Sequence, residues 1–258
     1  MKYIHLIIIL FLSIPLLAQS PNDFIKAAEQ GNAEAQLELG RCYANGTGTA
    51  IDYNKAKFWF EKAAAQGNVE AQRNIGFLYL NGDGVPQNSK LGFSWIKKAA
   101  EQGDLEAQKA VGFSYYYGDG VNQSYSTAIE WFKKAAWKGD VGAQEKLVAI
   151  YSTEEGLIDW KQARYWAQKA ASQDSDFGKM VMGDYYAQGY GGVTDYKESN
   201  KWLLMVTEKN AEVECMIGLN YVKLNDVDSA LIWFKRASKH GNKEADKMIK
   251  YIYEYLNR

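Results

Sequence analysis

The chain of 258 residues is predicted to be all-α, a stack of antiparallel helix pairs built from one repeated helix–loop–helix unit. Three markers predict it. A glycine followed by a polar residue recurs at Gly31-Asn32, Gly67-Asn68, Gly103-Asp104 and Gly139-Asp140, each step being 36 residues. A second glycine with tyrosine three places on runs Gly40/Tyr43, Gly76/Tyr79, Gly112/Tyr115, Gly183/Tyr186 and Gly218/Tyr221, with Val148/Tyr151 filling the fourth place. Tryptophan returns at Trp59, Trp95, Trp131, Trp166, Trp202 and Trp233. Three markers that hold one register exclude chance.

Taken from the N-terminus, Lys2 precedes an apolar run from Leu6 to Leu17, followed by the small and polar residues Ala18, Gln19 and Ser20. That is the form of a secretory signal. Cleavage after Ala18 or Ser20 fits, and Pro21 as an awkward first residue favours Ala18. Twelve residues interrupted by Pro15 are too short to cross a bilayer comfortably, so no stable membrane span is expected after cleavage. The next segment, "NDFIKAAEQG" from Asn22, reads as the second half of a unit and so as a capping helix over 19–31.

Six repeats are then expected over 32–242, at 32–67, 68–103, 104–139, 140–174, 175–210 and 211–242. In the first, Ala35, Leu39, Cys42 and Tyr43 fall at i, i+4, i+7 and i+8, one face of a helix, and Ala56, Trp59, Phe60, Ala63 and Ala64 repeat that spacing on a second helix. Asn32, Asn68, Asp104 and Asp140 suit N-caps, and the glycine before each suits the left-handed end of the preceding helix. Gly40 and its equivalents, with alanine pairs at 63/64, 99/100, 135/136 and 170/171, let neighbouring helices approach while tryptophan and tyrosine fill the space between. One pair cannot bury its apolar stripe alone, but a row of pairs can.

The loops "NGTG", "NGDGV" and "YGDGV" carry paired glycines at 46/48, 82/84 and 118/120 for tight turns with positive φ. No strand precedes them and no lysine follows at phosphate-loop spacing, so they do not read as a nucleotide cradle. Later units diverge: the fourth has "STEEGLID" for its loop, the fifth "AQGYGGV", and the sixth a shortened "VKLNDVD". The segment 243–258 reads as a C-terminal capping helix with lysines on its outer side.

The stretches "AEAQLELGRCYANGTG" from Ala33, "NKAKFWFEKAAAQG" from Asn54 and "VEAQRNIGFLYLNGDGVPQNSKLGFSWIKKAAEQG" from Val69 resemble the SEL-1-like repeat family, relatives of the tetratricopeptide repeats with a longer inter-helix loop. The resemblance covers nearly all of the chain beyond the leader. It implies a right-handed α/α superhelical solenoid, and adaptor work rather than chemistry, because the matching positions are structural.

Composition narrows the function. Loss of Lys2 with the leader leaves 29 basic against 31 acidic residues, which gives no electrostatic footprint for nucleic acid or an anionic membrane. Beyond the leader the single histidine is His240, placed near a helix end where the dipole favours it. With Cys42 and Cys215 far apart in the series, no zinc site of ordinary ligand set can assemble, no cofactor is implied, and the cysteines read as small buried hydrophobes rather than a disulfide.

Some cysteine-rich relatives in the family are penicillin-binding or β-lactamase-like, which makes an envelope hydrolase the alternative reading. Ser94-Trp95-Ile96-Lys97 satisfies Ser-x-x-Lys and Tyr79-Leu80-Asn81 imitates a second box, but Lys-Thr-Gly is missing, as are the paired cysteines of those relatives. The expectation is an exported bacterial scaffold without catalysis, periplasmic or extracellular, that binds a protein or peptide.

The binding face is expected opposite the Ala35, Leu39, Tyr43 stripe, where Leu37/Arg41, Arg73/Phe77/Leu80 and Lys109/Phe113/Tyr116 align. The candidate partner-binding residues are Arg73, Phe77, Lys109, Phe113, Tyr116 and Tyr117: aromatics flanked by cations, the composition of interface hot spots. Tyr251, Tyr253 and Tyr255 form a second aromatic group, spread around the last helix.

Overall fold

The computed structural model describes residues 20–256, so the expected leader, residues 1–18, lies outside the described residues. Every regular element among the described residues is an α-helix. The described chain divides into two compact units, one of residues 20–107 with 119–121 and one of 108–118 with 122–256.

The first unit carries α1 (Pro21–Glu29), α2 (Ala33–Asn45), α3 (Tyr53–Ala65), α4 (Val69–Asn81) and α5 (Ser89–Glu101). Short loops reverse the chain, so consecutive helices pack antiparallel. Asn32 and Asn68 cap α2 and α4 through Oδ1, which accepts from the Ala35 and Ala71 N–H groups, both at 2.8 Å. The paired loop glycines hold positive φ as expected, 73° and 68° at Gly46 and Gly48 and 82° and 65° at Gly82 and Gly84. Leu37, Phe60, Ala63, Ala64, Ile75 and Leu78 close one buried cluster between α2, α3 and α4.

The second unit carries most of α6 (Leu105–Tyr117), then α7 (Tyr125–Trp137), α8 (Val141–Thr153), α9 (Trp160–Ala171), α10 (Asp176–Gln188), α11 (Tyr196–Leu204), α12 (Ala211–Lys223), α13 (Val227–Lys239) and α14 (Lys243–Leu256). In the shortened sixth loop Asn225 takes φ 59°, the left-handed place glycine fills elsewhere. Lys243, Lys247 and Lys250 of α14 are exposed, as are Tyr251, Tyr253 and Tyr255.

The repeat glycines mark contacts between paired helices. A Cβ on Gly40 would lie 2.6 Å from the Phe60 ring, one on Gly112 2.8 Å from Phe132 and one on Gly218 2.7 Å from Phe234. Three of the marker tryptophans carry a close cation one turn on: Lys98 Nζ lies 4.4 Å over Trp95, Lys134 Nζ 3.6 Å over Trp131 and Arg236 4.5 Å over Trp233. The ring stays against its neighbours while a long stem covers its outer side. Cys42 and Cys215 are buried free thiols, and burial pushes both above the usual thiol range.

Candidate partner-binding faces

In the first, second and fourth repeats the glutamine near the start of the first helix ties that helix to the end of the second. Gln36, Gln72 and Gln144 are buried. Gln66 Nε2 donates to Gln36 Oε1 at 2.7 Å, Gln102 Nε2 to Gln72 Oε1 at 2.8 Å, and Gln173 Nε2 to Gln144 Oε1 at 2.9 Å. Gln36 and Gln144 donate in turn to the Ala28 and Ala136 carbonyls, at 3.0 and 3.1 Å. With that face committed, the opposite side of the first helix of each pair is what remains for a partner.

In the first unit this side forms a groove of about 340 Å³ between α2 and α4, with Arg41, Asn45, Asn74 and Phe77 on its walls and Phe60 below. Phe77 is half-buried there. Arg73 is not a free cation: its side chain is 17% exposed, Nη2 meets Glu70 Oε1 at 2.5 Å and Nη1 meets Asp104 Oδ2 at 2.8 Å. Arg41 shares Glu70, at 3.5 Å, and reaches Glu38 at 3.1 Å. Leu37, expected on the open row, is 2% exposed and belongs to the core. The reason is angular. Positions three before and one after the repeat glycine lie about 40° apart on a helix, and only the later row, with Arg41 and Phe77, faces outward.

The same split holds in the second unit. Lys109, three before Gly112, pairs with Asp140 Oδ2 at 3.0 Å, whereas Phe113, one after it, is 37% exposed. Phe113 lies nearly parallel to Tyr117, centroids 6.2 Å apart at 7°, and edge-on to Phe132 at 5.0 Å. Tyr117 is 66% exposed and meets Tyr116 edge-on at 4.8 Å. The cation over this cluster is Lys146, a residue sequence reasoning passed over, with Nζ 5.5 Å from the Phe113 centroid and 5.3 Å from that of Tyr116. Tyr116 is fixed by its hydroxyl, which donates to Glu154 Oε1 at 2.6 Å. That bond to a carboxylate, with burial, pushes the phenol up to about 12. The divergent fourth loop thus supplies Glu154 to hold an aromatic of the third repeat.

A second groove of about 260 Å³ lies between α10 and α12 over α11, lined by Asp184, Ala187, Tyr196, Met216, Leu219 and Lys223 among others. No residue here was singled out from the sequence. The signal was present in the residue following each repeat marker, which runs Arg41, Phe77, Phe113, Ala149, Asp184, Leu219.

The residues weighed for hydrolysis sit on ordinary helix surface. Ser94 Oγ donates to the Leu91 carbonyl at 2.7 Å, and Lys97 Nζ lies 3.8 Å from Glu101. His240 caps α13, and its Nδ1 lies 2.7 Å from Oε2 of the buried Glu214, which Arg236 Nε also meets at 3.2 Å. The helix-end placement expected of His240 is therefore joined by a specific carboxylate.

Among solved structures, the chain is 31% identical to c5321, a protective antigen present in uropathogenic Escherichia coli strains and displaying an SLR fold, over 92% of this chain and 52% of that one, with a TM-score of 0.77. It spans about half the length of that relative. It is 34% identical to a Sel1 repeat protein from Oxalobacter formigenes, over 73% of this chain and 76% of that one, with a TM-score of 0.59. No curated protein matches the chain. The stacked α/α pairs are those of the solenoid fold class expected from the sequence. Residues 33–68, 69–104, 105–140, 158–175, 180–208 and 214–242 each match the Sel1 repeat, and the chain belongs to the Sel1 repeat family.

Proposed function

We propose that the chain is an exported, non-catalytic scaffold of a bacterium that binds a protein or peptide partner in the cell envelope or outside the cell. Sel1 repeat proteins are typically protein-interaction scaffolds, which sets the class. The observation that carries the reading here is the Phe113 and Tyr117 pair, exposed in one stack with Lys146 over it on a first-helix face. Rigid aromatics beside a cation lose little entropy on docking and bury much area, as interface hot spots do. Phe77 and Asn74 in the α2–α4 groove extend the candidate contacts to the first unit, whereas Arg73 and Lys109 contribute by setting repeat spacing. The charged and apolar make-up of residues 1–18 supports export, and no described helix is long and apolar enough to cross a membrane.

Cross-linking of the tagged, leader-intact protein in its native envelope, in parallel with Phe113→Ala/Tyr117→Ala and Phe77→Ala variants, tests the reading. A partner captured by the parent and lost in a folded variant is the expected result. Equal capture by all three would show that docking does not use these faces.

A further inference from the structure

The groove between α10 and α12 holds a carboxylate whose chemistry is incomplete. Several part-buried acids elsewhere meet cations, Glu70 and Asp104 on Arg73, Asp140 on Lys109 and Glu214 on Arg236, and Glu145 and Glu154 each take a hydroxyl. Asp184 meets no cation among the described residues. Its side-chain partner is the Gln188 amide one turn on, and burial holds its carboxyl above the usual range. Asn220 lies in the groove wall, 4% exposed, but both protons of its Nδ2 are spent, on Ser199 Oγ at 2.7 Å and Asn200 Oδ1 at 2.9 Å. Lys223 lines the same groove and makes no ion pair with Asp184.

The rest of the lining is apolar: Ala187, Tyr196 and Met216 are half-buried, and Leu219 is 39% exposed. At about 260 Å³ the groove falls just under the ~300 Å³ at which ordinary small-molecule sites begin. Its size and its combination of an apolar channel with one negative end match a long side chain whose stem is hydrocarbon and whose head is positive.

We propose that the α10–α12 groove receives a lysine or arginine side chain of a protein or peptide partner, with the stem against Tyr196, Met216 and Leu219 and the charged head on the Asp184 carboxylate. The inference rests on the scaffold reading above and deepens it by naming the chemistry of the partner. The cation supplies what the fold withholds from Asp184, and a charge-assisted bond in a half-desolvated groove is stronger than its counterpart in open water. A carboxylate held this way also discriminates, because an acidic side chain in the same channel meets like charge.

The test uses the full chain without its leader, immobilised and exposed to a phage library of random dodecapeptides, followed by fluorescence anisotropy on enriched sequences. Enriched peptides should place lysine or arginine beside an apolar residue. Replacing that basic residue by norleucine should weaken binding about tenfold or more, the scale of a lost charged hydrogen bond. Asp184→Asn should weaken the basic peptide equally and leave the norleucine peptide unaffected, while Lys223→Ala should bind the basic peptide as well as the parent or better. Thermal unfolding of each variant confirms that the fold is kept. Enriched peptides that ignore Asp184→Asn, or that lose binding in Lys223→Ala, would overturn the inference and leave peptide recognition standing. Failure to enrich any peptide would count against both.

Discussion

The crossing of α4 and α5 is the sharpest place to test how the repeats are packed. At the same place the other second helices carry Ala56, Ala128, Ala163 and Ala230, with Ser199 in the fifth repeat, all 0% exposed. In the second repeat both partners are glycine. A Cβ on Gly92 would lie 2.8 Å from the Gly76 carbonyl oxygen and 2.8 Å from Leu80 Cγ, and the first of these is backbone that no rotamer change can move. Gly92→Ala gains about 1 kcal/mol of helix propensity against an overpacking cost of up to about 3 kcal/mol. Net destabilisation of ~1–2 kcal/mol is expected, which for a chain of this size lowers the unfolding midpoint by about 2–4 °C per kcal/mol. Gly142→Ala is the control, because its Cβ would find nothing closer than Asp140 Oδ1 at 3.4 Å. There the entropic gain of roughly 0.4–1 kcal/mol should appear as stabilisation. Thermal and urea unfolding followed by far-UV circular dichroism measure both. A Gly92→Ala protein as stable as the parent would refute the claim that the two backbones touch. Because α4 bears Asn74 and Phe77, the same substitution should also disturb the first-unit groove.

Gln144→Leu removes one of the two bonds on the Ala136 carbonyl, which keeps the Gly139 N–H, and frees the exposed Gln173 amide to water, so a loss of about 0.5–1.5 kcal/mol is expected by urea titration; an unchanged midpoint would mean the glutamine bonds are ornamental. Tyr116 has its phenol raised to about 12 by Glu154, so the stability this bond gives is fully present below the ordinary phenol value near 10 and drains away as pH rises from about 10 to about 12. Thermal scans across that window should show a shallower alkaline decline in Glu154→Gln than in the parent. Arg73→Leu and Asp104→Asn should each destabilise alone, whereas the double substitution leaves neither charge of the pair unpartnered and should recover part of the loss; a coupling near zero in that cycle would show that the pair does not act as a unit.

The fold was legible because its causes are local and repeated. Gly40, Gly76 and Gly112 mark where helices touch, and Asn32, Asn68, Asp104 and Asp140 mark where they start. Each needs no knowledge of distant residues. The candidate face was only half legible. Phe113, Tyr116 and Tyr117 do cluster, but periodicity alone does not separate the row of Leu37, Arg73 and Lys109 from the row of Arg41, Phe77 and Phe113, since about 40° divides them. Burial decides between them, and burial depends on what the next repeat offers. Glu154 escaped notice for the opposite reason: it stands in a loop that departs from the repeat, and its partner Tyr116 is 38 residues away.

The row three before the repeat marker carries its own logic. Three of the residues three before the repeat marker meet the cap of a helix about 31 positions later. Arg73 precedes Asp104, whose Oδ1 caps Ala107 at 2.7 Å while Oδ2 takes the guanidinium at 2.8 Å. Lys109 precedes Asp140, which divides its oxygens between Ala143 and the ammonium in the same way. Glu145 precedes Ser175, whose hydroxyl turns about and donates to the carboxylate at 2.6 Å while its oxygen caps Gly178. Cation meets anion in two of them, and anion meets a donor in the third. In these three, one side chain both starts a helix and meets the preceding repeat, and the Asp or Ser at the cap complements the residue on the neighbouring helix, a distinction that capping alone does not make. Repeats matched in this way stack in their own order, which leaves the row of Arg41, Phe77, Phe113, Asp184 and Leu219 free to vary with the partner.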